Sequence, residues 1–297
     1  MVGKKRNRDL EERRKIIGIM VAPTSIVICL LGIIPILFVM WFSVNEVNPV
    51  TLQTEFTGLR NFMEIFAEKD FWKSLGITFY FTIISIVLQI ILGIAVAFLL
   101  NQNMKGRGLI RTIAILPWAV PTYVNANLWK WIFNTDYGIL NKILLKLGLV
   151  SKAVFWLGEP LLALNAIIVA DTWRMLPMVA LMILAALQNV SAESIEAASL
   201  DGANAWKRLR YIYIPAIKPM IMVTLVLRTI QAFRVFDIIY SITKGGPNNG
   251  TMVVSFYAYD EIFKYLHYGK GAAISLVILV IMLLITLVYM KLLQEKD

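Results

Sequence analysis

Five charged side chains lie in stretches otherwise too apolar to hold them: Asp171, Arg174, Arg228, Arg234 and Asp237. A charge at the centre of a membrane-crossing helix costs about 2.5–3.5 kcal/mol on insertion scales, so each needs a partner or a task. Asp171 and Arg174 are three residues apart, as are Arg234 and Asp237. That spacing places two side chains on one helical face and predicts an ion pair for each duo. Arg228 has no obvious partner on its own helix. It pairs across to Asp171 or it faces a translocation path, and spacing leaves both open. No catalytic constellation is present. The single His267 and single Cys29 build neither a metal cluster nor a disulfide. No Ser-His pair or carboxylate dyad falls at useful spacing within the apolar runs. The glycine-rich run Gly245-Gly246-Pro247-Asn248-Asn249-Gly250-Thr251 lacks the lysine of a phosphate loop. If ATP and Mg power this protein, another chain binds them, and this one carries no cofactor.

These charges must be positioned by the apolar runs themselves. Of 297 residues, 59% are hydrophobic and 16% charged, the balance of an all-α integral membrane protein rather than a soluble domain. Six spans are expected, near 16–43, 72–100, 112–133, 161–187, 214–240 and 271–292. Residues 1–15 form a basic tail and 293–297 a short C-terminal one, flanking a permease domain over 16–292. The first run is too long for a signal peptide and has no small-residue cleavage site behind it, so it reads as a retained span. Gln89 is the one strongly polar residue of the second run. The third contains Leu116-Pro117-Trp118-Ala119-Val120-Pro121-Thr122, and two prolines four apart break the helical ladder; such a break at membrane depth is tolerated where it is buried in protein or lines a cavity. Residues 44–71 read as a polar loop, and a short helix is expected over 139–147.

The net charge of +10 has a simpler explanation than nucleic acid. The tails and the turns after spans two and four hold 15 Lys or Arg with Lys291 counted; the other three loops hold nine with Lys73 counted. Positive residues favour the cytoplasm, so both termini and the loop over 188–215 are expected there.

That loop is a short charged stretch between two apolar runs: Glu196-Ala197-Ala198-Ser199-Leu200-Asp201-Gly202, continuing to Ile212-Tyr213-Ile214-Pro215. Ala, Leu and Glu favour helix and Gly202 ends it or lets another backbone approach. On residues alone it is either an ordinary inter-helix loop or a surface helix that meets a soluble partner. The stretch resembles the signature loop of binding-protein-dependent ABC importer permeases (the type I fold), with Ile214 where Leu is usual. The resemblance implies a coupling helix docked on an ATPase, with Glu196, Ala197, Ala198, Asp201, Gly202 and Pro215 at the matching positions. Two further stretches are similar to carbohydrate permeases of the maltose, trehalose and glycerol-phosphate group: Thr57-Gly58-Leu59-Arg60-Asn61-Phe62, and Thr243-Lys244-Gly245-Gly246-Pro247-Asn248 preceded by Phe236-Asp237. The second is similar to the GGP element of a subunit that pairs with a different permease.

The resemblance extends over nearly the whole chain and implies a substrate held near mid-membrane by spans three, four and five. The matching positions are Trp118 and Thr122, then Arg174 and Met175, then Arg228, Ala232 and Val235, with Gln231 adding polarity. An indole stacked on a sugar face, with guanidinium and hydroxyl groups bonding its hydroxyls, is suitable chemistry; Trp118 is otherwise an interfacial-belt aromatic. Ala232 and Val235 stand where polar side chains serve in the maltose-specific case, so the sugar stays open. Implied partners are a second permease subunit, an ATPase dimer, an extracytoplasmic sugar-binding protein and the lipid bilayer of a prokaryotic cytoplasmic membrane. An ion-gradient-driven secondary transporter and a non-transporting scaffold are the competing readings; the first would use the buried charges as ion sites.

Overall fold

The computed structural model describes residues 17–294 except 19, 52 and 103. The expected N-terminal tail over 1–15 lies outside the described residues, as do 295–297. The last helix runs through Gln294 and takes in the start of the expected C-terminal tail.

Among the described residues, five helices are long and apolar enough to cross a membrane. They are α1 (Met20–Ser43), α3 (Lys69–Asn101), α7 (Pro160–Leu187), α9 (Ala205–Phe233) and α12 (Tyr268–Gln294). Between them lie α2 (Arg60–Ala67), α4 (Arg107–Ala119), α5 (Thr122–Ile132), α6 (Ile139–Lys146), α8 (Ala192–Leu200), α10 (Asp237–Ile242) and α11 (Val254–Phe263). The third expected span is the pair α4–α5. Val120 and Pro121 are extended between the two helices, with ψ of 125° and 142°. Proline disfavours the helical region for the residue before it, so Pro121 breaks the helix at Val120.

The same device accommodates proline in α1 and α9. In each, a π-helical turn (Cys29–Ile33 and Leu209–Tyr213) closes with a bond from Ile34 N–H to Cys29 O, or from Ile214 N–H to Leu209 O. Pro35 and Pro215 follow at once. A proline has no N–H to return to the fourth residue before it, and the wider turn rearranges the carbonyls that it leaves.

The described chain forms two units, each with its own packing: residues 17–67 with 260–276, and 68–259 with 277–294. In the larger unit the most extensive helix pairing is α3 along α7. It is close because small residues face each other. A Cβ on Gly93 would lie 2.5 Å from Val179 Cγ1, and Ala97 and Ala180 are buried beside it. Lipid tails are as apolar as leucine, so dispersion at short range replaces the hydrophobic drive of water-soluble bundles. Phe81, Ile167, Ile238, Ile239 and Phe256 form one apolar cluster, and Ala97, Ile183, Leu184 and Ile217 another.

The stretch expected as a polar loop over 44–71 is structured: its last residues open α3, and its part in the smaller unit, 44–67, holds a hairpin and α2. An antiparallel hairpin pairs β1 (Asn45–Val47) with β2 (Thr54–Phe56), the one departure from an all-α chain among the described residues. Its turn is organised by Asn48, whose side-chain oxygen accepts from the N–H groups of Val50 and Thr51, local bonding that alternation of hydrophobicity does not reveal. Asn61 of α2, 2% exposed, donates to the carbonyls of Ser43 and Asn45. The buried Glu261 carboxylate accepts from Lys270 at 3.1 Å and lies 2.8 Å from His267 Nδ1. Partial burial pushes the nearby Glu46 carboxyl up and Glu64 adds to this, while His267 and Arg60 oppose it.

Candidate functional site

α5 and the last turns of α4 border a cavity of about 330 Å³ in the larger unit. Trp118 closes α4 and Thr122 opens α5, so the break places one on each side of the interruption. From α7 come Arg174 and Met175. From the end of α9 come Arg228, Gln231 and Ala232, with Val235 beyond its cap. The eight residues chosen from the sequence therefore line one space, together with Asp171, Arg234 and Asp237. They face it unequally. Trp118 is 47% exposed, whereas Ala232 is 2% and Arg228 1% exposed.

Arg228 lies behind the wall, and each of its guanidinium nitrogens is bonded to protein. Nε donates to Gln89 at 2.7 Å, one terminal nitrogen to Gln231 at 2.7 Å, and the other to Asp171 Oδ2 at 3.2 Å. The pairing left open by spacing is thus made across helices. The same Asp171 oxygen accepts from the Gln89 amide at 3.1 Å. The Asp171–Arg174 pair expected along one helix exists, but at 3.9 Å from Oδ1. Arg174 Nε, itself buried, has no hydrogen-bond partner among the described residues. A buried charge is tolerable only when paired and hydrogen-bonded, and Arg228 meets both conditions.

The expected Arg234–Asp237 pair does not form: neither residue takes part in a salt bridge among the described residues, and both are exposed at the cavity rim. The reason is that α9 stops at Phe233. Arg234 is its cap and Asp237 opens α10, so they share no helical face. Two interactions compete with continued helix. The Ser255 hydroxyl donates to the Val235 carbonyl, and Phe236 stacks on Tyr240 and Phe256 with ring centres 5.5 and 5.8 Å away.

The Gly245–Thr251 run is a knot packed on its surroundings. Thr251, fully buried, bonds the Thr243 hydroxyl and the Gly246 carbonyl at 2.7 and 2.6 Å. A Cβ on Gly250 would lie 2.7 Å from Pro160 Cα, so glycine is required against the start of α7. Lys73 of α3 donates to the Asn248 carbonyl.

The stretch that carries Glu196, Ala197 and Ala198 is α8. Ser191 caps its N-terminus by accepting from Ser194 N–H. At the other end Asp201 is the cap residue and Gly202 follows with φ +74°. Gly202 N–H bonds to Ser199 O and Ala203 N–H to Ala198 O, a Schellman closure that needs a left-handed residue. None of the residues of α8 is buried. Leu200, Trp206 and Tyr211 are exposed too, at 89%, 70% and 73%, and Pro215 is exposed at the start of the apolar part of α9.

A bundle of apolar helices, one of them broken beside a polar-lined cavity, with a short capped helix standing clear of the core, defines a membrane transport subunit. The chain belongs to the family described as binding-protein-dependent transport system inner membrane component, whose model matches residues 89–294. It is thus the non-catalytic permease component of an ABC importer. The trehalose/maltose transport system permease protein MalF of Thermococcus litoralis is 40% identical over 273 residues, 92% of each chain. The trehalose transport system permease protein SugA of Mycobacterium tuberculosis is 32% identical, covering 94% of this chain and 89% of its own. The sulfoquinovosyl glycerol permease SmoG of Agrobacterium fabrum is 31% identical over 94% and 90%. A chain from the crystal structure of a bacterial ABC transporter involved in import of the acidic polysaccharide alginate shares the fold, with a TM-score of 0.85 over 98% of this chain and 99% of its own at 22% identity.

Sequence reasoning missed one participant. Gln89 stands out as polar in its run but is not placed by spacing, whereas Asp171 is already one of the two options for Arg228 and is the one the structure shows. The clue for Gln89 was available: an uncharged polar residue amid a long apolar run requires a partner on another helix.

Proposed function

We propose that this chain forms half of the path of an ATP-driven importer for a di- or oligosaccharide such as trehalose or maltose. One observation carries the reading: the third-span break sets an exposed indole beside Arg174 and Gln231 around a space within the roughly 300–1,000 Å³ typical of small-molecule sites. Trp118 offers a face for a pyranose ring. Thr122, Arg174 and Gln231 offer groups to its hydroxyls, and Met175, Ala232 and Val235 shape the apolar wall. Arg228 supports that wall from behind. The 40% identical permease is a trehalose/maltose protein by name, which favours a neutral disaccharide.

α8, with Glu196, Ala197, Ala198, Asp201 and Gly202, is the contact through which a cytoplasmic ATPase dimer moves the bundle; Pro215 sets the turn where α9 enters it. The partners are a second permease subunit, that ATPase dimer and an extracytoplasmic binding protein. With α4–α5 counted as one crossing the chain has six spans, a permease domain over 16–292, and both termini in the cytoplasm, in keeping with the basic bias of the inner loops. ATP closure selects one of two states of the bundle because α8 binds the closed ATPase more tightly in that state. An ion-gradient mechanism loses its motive when Asp171, Gln89 and Arg228 bond one another.

The test is co-purification followed by uptake. The tagged chain, extracted from its own membrane in mild detergent, should bring down a second permease and an ATPase in a 1:1:2 ratio, as the fold family implies. Proteoliposomes of that complex should take up trehalose or maltose only with ATP and the binding protein. Uptake driven by a proton gradient without ATP would overturn the assignment.

A further inference from the structure

Gln89 is the polar residue of α3 that the proposed transport role leaves without a task. It is fully buried and makes two bonds of opposite sense, donating through Nε2 to Asp171 Oδ2 and accepting through Oε1 from Arg228 Nε. The amide is locked in orientation, because turning it over would set its NH₂ against a guanidinium and its oxygen against a carboxylate. Its two partners are the base and the acid of one ion pair. Gln89 on α3, Asp171 on α7 and Gln231 on α9 thus hold Arg228 from three helices.

Arg174 is the counterpart. It meets the same acid only through Oδ1 and at 3.9 Å, whereas Gln89 and Arg228 both bond Oδ2; its buried Nε has no hydrogen-bond partner among the described residues, and its side chain is 15% exposed against 1% for Arg228. One acid faces two guanidiniums, and the bonds to Oδ2 hold its carboxylate turned toward Arg228. We infer that Gln89 is a positioning residue of the transport cavity: it locks Asp171 onto Arg228, withholds that carboxylate from Arg174, and so leaves the Arg174 guanidinium to bond the hydroxyl oxygens of the saccharide. This rests on the reading of the cavity as the sugar site.

A second carboxylate at this position reverses the division. In Gln89→Glu the new acid takes Arg228 and repels Asp171. Asp171 then turns to Arg174, one helical turn along α7, and draws it from the cavity. Adding Asp171→Asn to the same chain restores a single acid with the polarity of the network reversed, and Arg174 is freed again. A Gln89 that served assembly alone would lower the yield of complex and leave KM where it was.

The measurement is uptake of radiolabelled trehalose and maltose by the whole importer in proteoliposomes, with KM, Vmax and complex yield determined for each variant. Gln89→Glu should raise KM about tenfold with Vmax and yield little changed, the scale of losing a charged hydrogen bond. The double variant Gln89→Glu/Asp171→Asn should return KM close to wild type. Arg174→Ala should raise KM as Gln89→Glu does. An unchanged KM in Gln89→Glu beside a raised KM in Arg174→Ala overturns the positioning role and keeps the sugar site. Unchanged KM in Arg174→Ala and in Trp118→Ala overturns the site itself. Should Gln89→Glu fail to assemble, Gln89→Met, nearly isosteric and without either bond, takes its place with the same two outcomes.

Discussion

The wall of the cavity and the α8 region handle polarity in opposite ways. Around Arg228, charge lies among apolar helices, and every guanidinium nitrogen has a partner within this chain. Around Gly202 the backbone closes on itself through Gly202 and Ala203 N–H, yet Leu200, Trp206 and Tyr211 stand exposed. The Arg228 network is satisfied within this chain; the second region sets exposed apolar side chains beside a capped turn. A monomer gains nothing from that exposure. Damage to the first region should therefore be felt in the chain itself, and damage to the second only in its work with partners.

The comparison is easiest to break at Arg228. Arg228→Leu leaves Asp171 charged and buried without its main partner, which should cost about 3–5 kcal/mol and appear as loss of thermal stability of the purified chain. A stable, fully accumulated variant would show that the network carries little. Gly202→Asp should do the converse. Asp at a φ of +74° carries a strain of about 1 kcal/mol, but a Cβ there meets nothing within 4 Å among the described residues, so the variant should still accumulate in the membrane while ATP-driven uptake falls to background. Normal uptake would remove the coupling role of α8.

Smaller effects sharpen the contrast. Trp206→Ala should weaken ATPase binding to the complex roughly tenfold, the scale of an interface aromatic, with no change in the melting temperature of the isolated chain. Trp118→Ala should raise KM for trehalose about 5-fold, or ~1 kcal/mol of lost ring contact, and leave ATPase recruitment untouched. The smallest effect falls outside both regions. The raised Glu46 carboxyl contributes stability below its unfolded pKa that is lost as pH rises through its folded value. Glu46→Gln should be neutral in mild acid and slightly stabilising at neutral pH, within the ~0.5 kcal/mol of surface substitutions. Identical melting differences at both pH values would show that Glu46 does not titrate in this way.

Much of the site was legible before any coordinates. Of the two prolines expected to break the run, Pro121 does so between α4 and α5, while Pro117 stays inside α4. Gly202 marks the end of α8 for a similarly local reason. What misled was spacing: Arg234 and Asp237 are three apart, but three apart is adjacent only while the helix continues. The loop over 44–71 likewise hid a hairpin, because an Asn48 turn draws on side-chain bonds that composition does not display.

By itself, then, the sequence determined the membrane class, most of the helical runs, the break at Pro121 and the close of α8 at Gly202, all consequences of interactions within a few residues. The tertiary structure alone decided which charge answers which. Asp171 lies 57 residues from Arg228, and Gln89 lies 139 residues from it. Only the close crossing of α3 over α7, made possible by Gly93 beneath Val179, brings the α3 amide to the acid on α7. Long-range pairing of buried charge follows from how helices pack, and no local pattern in the chain encodes it.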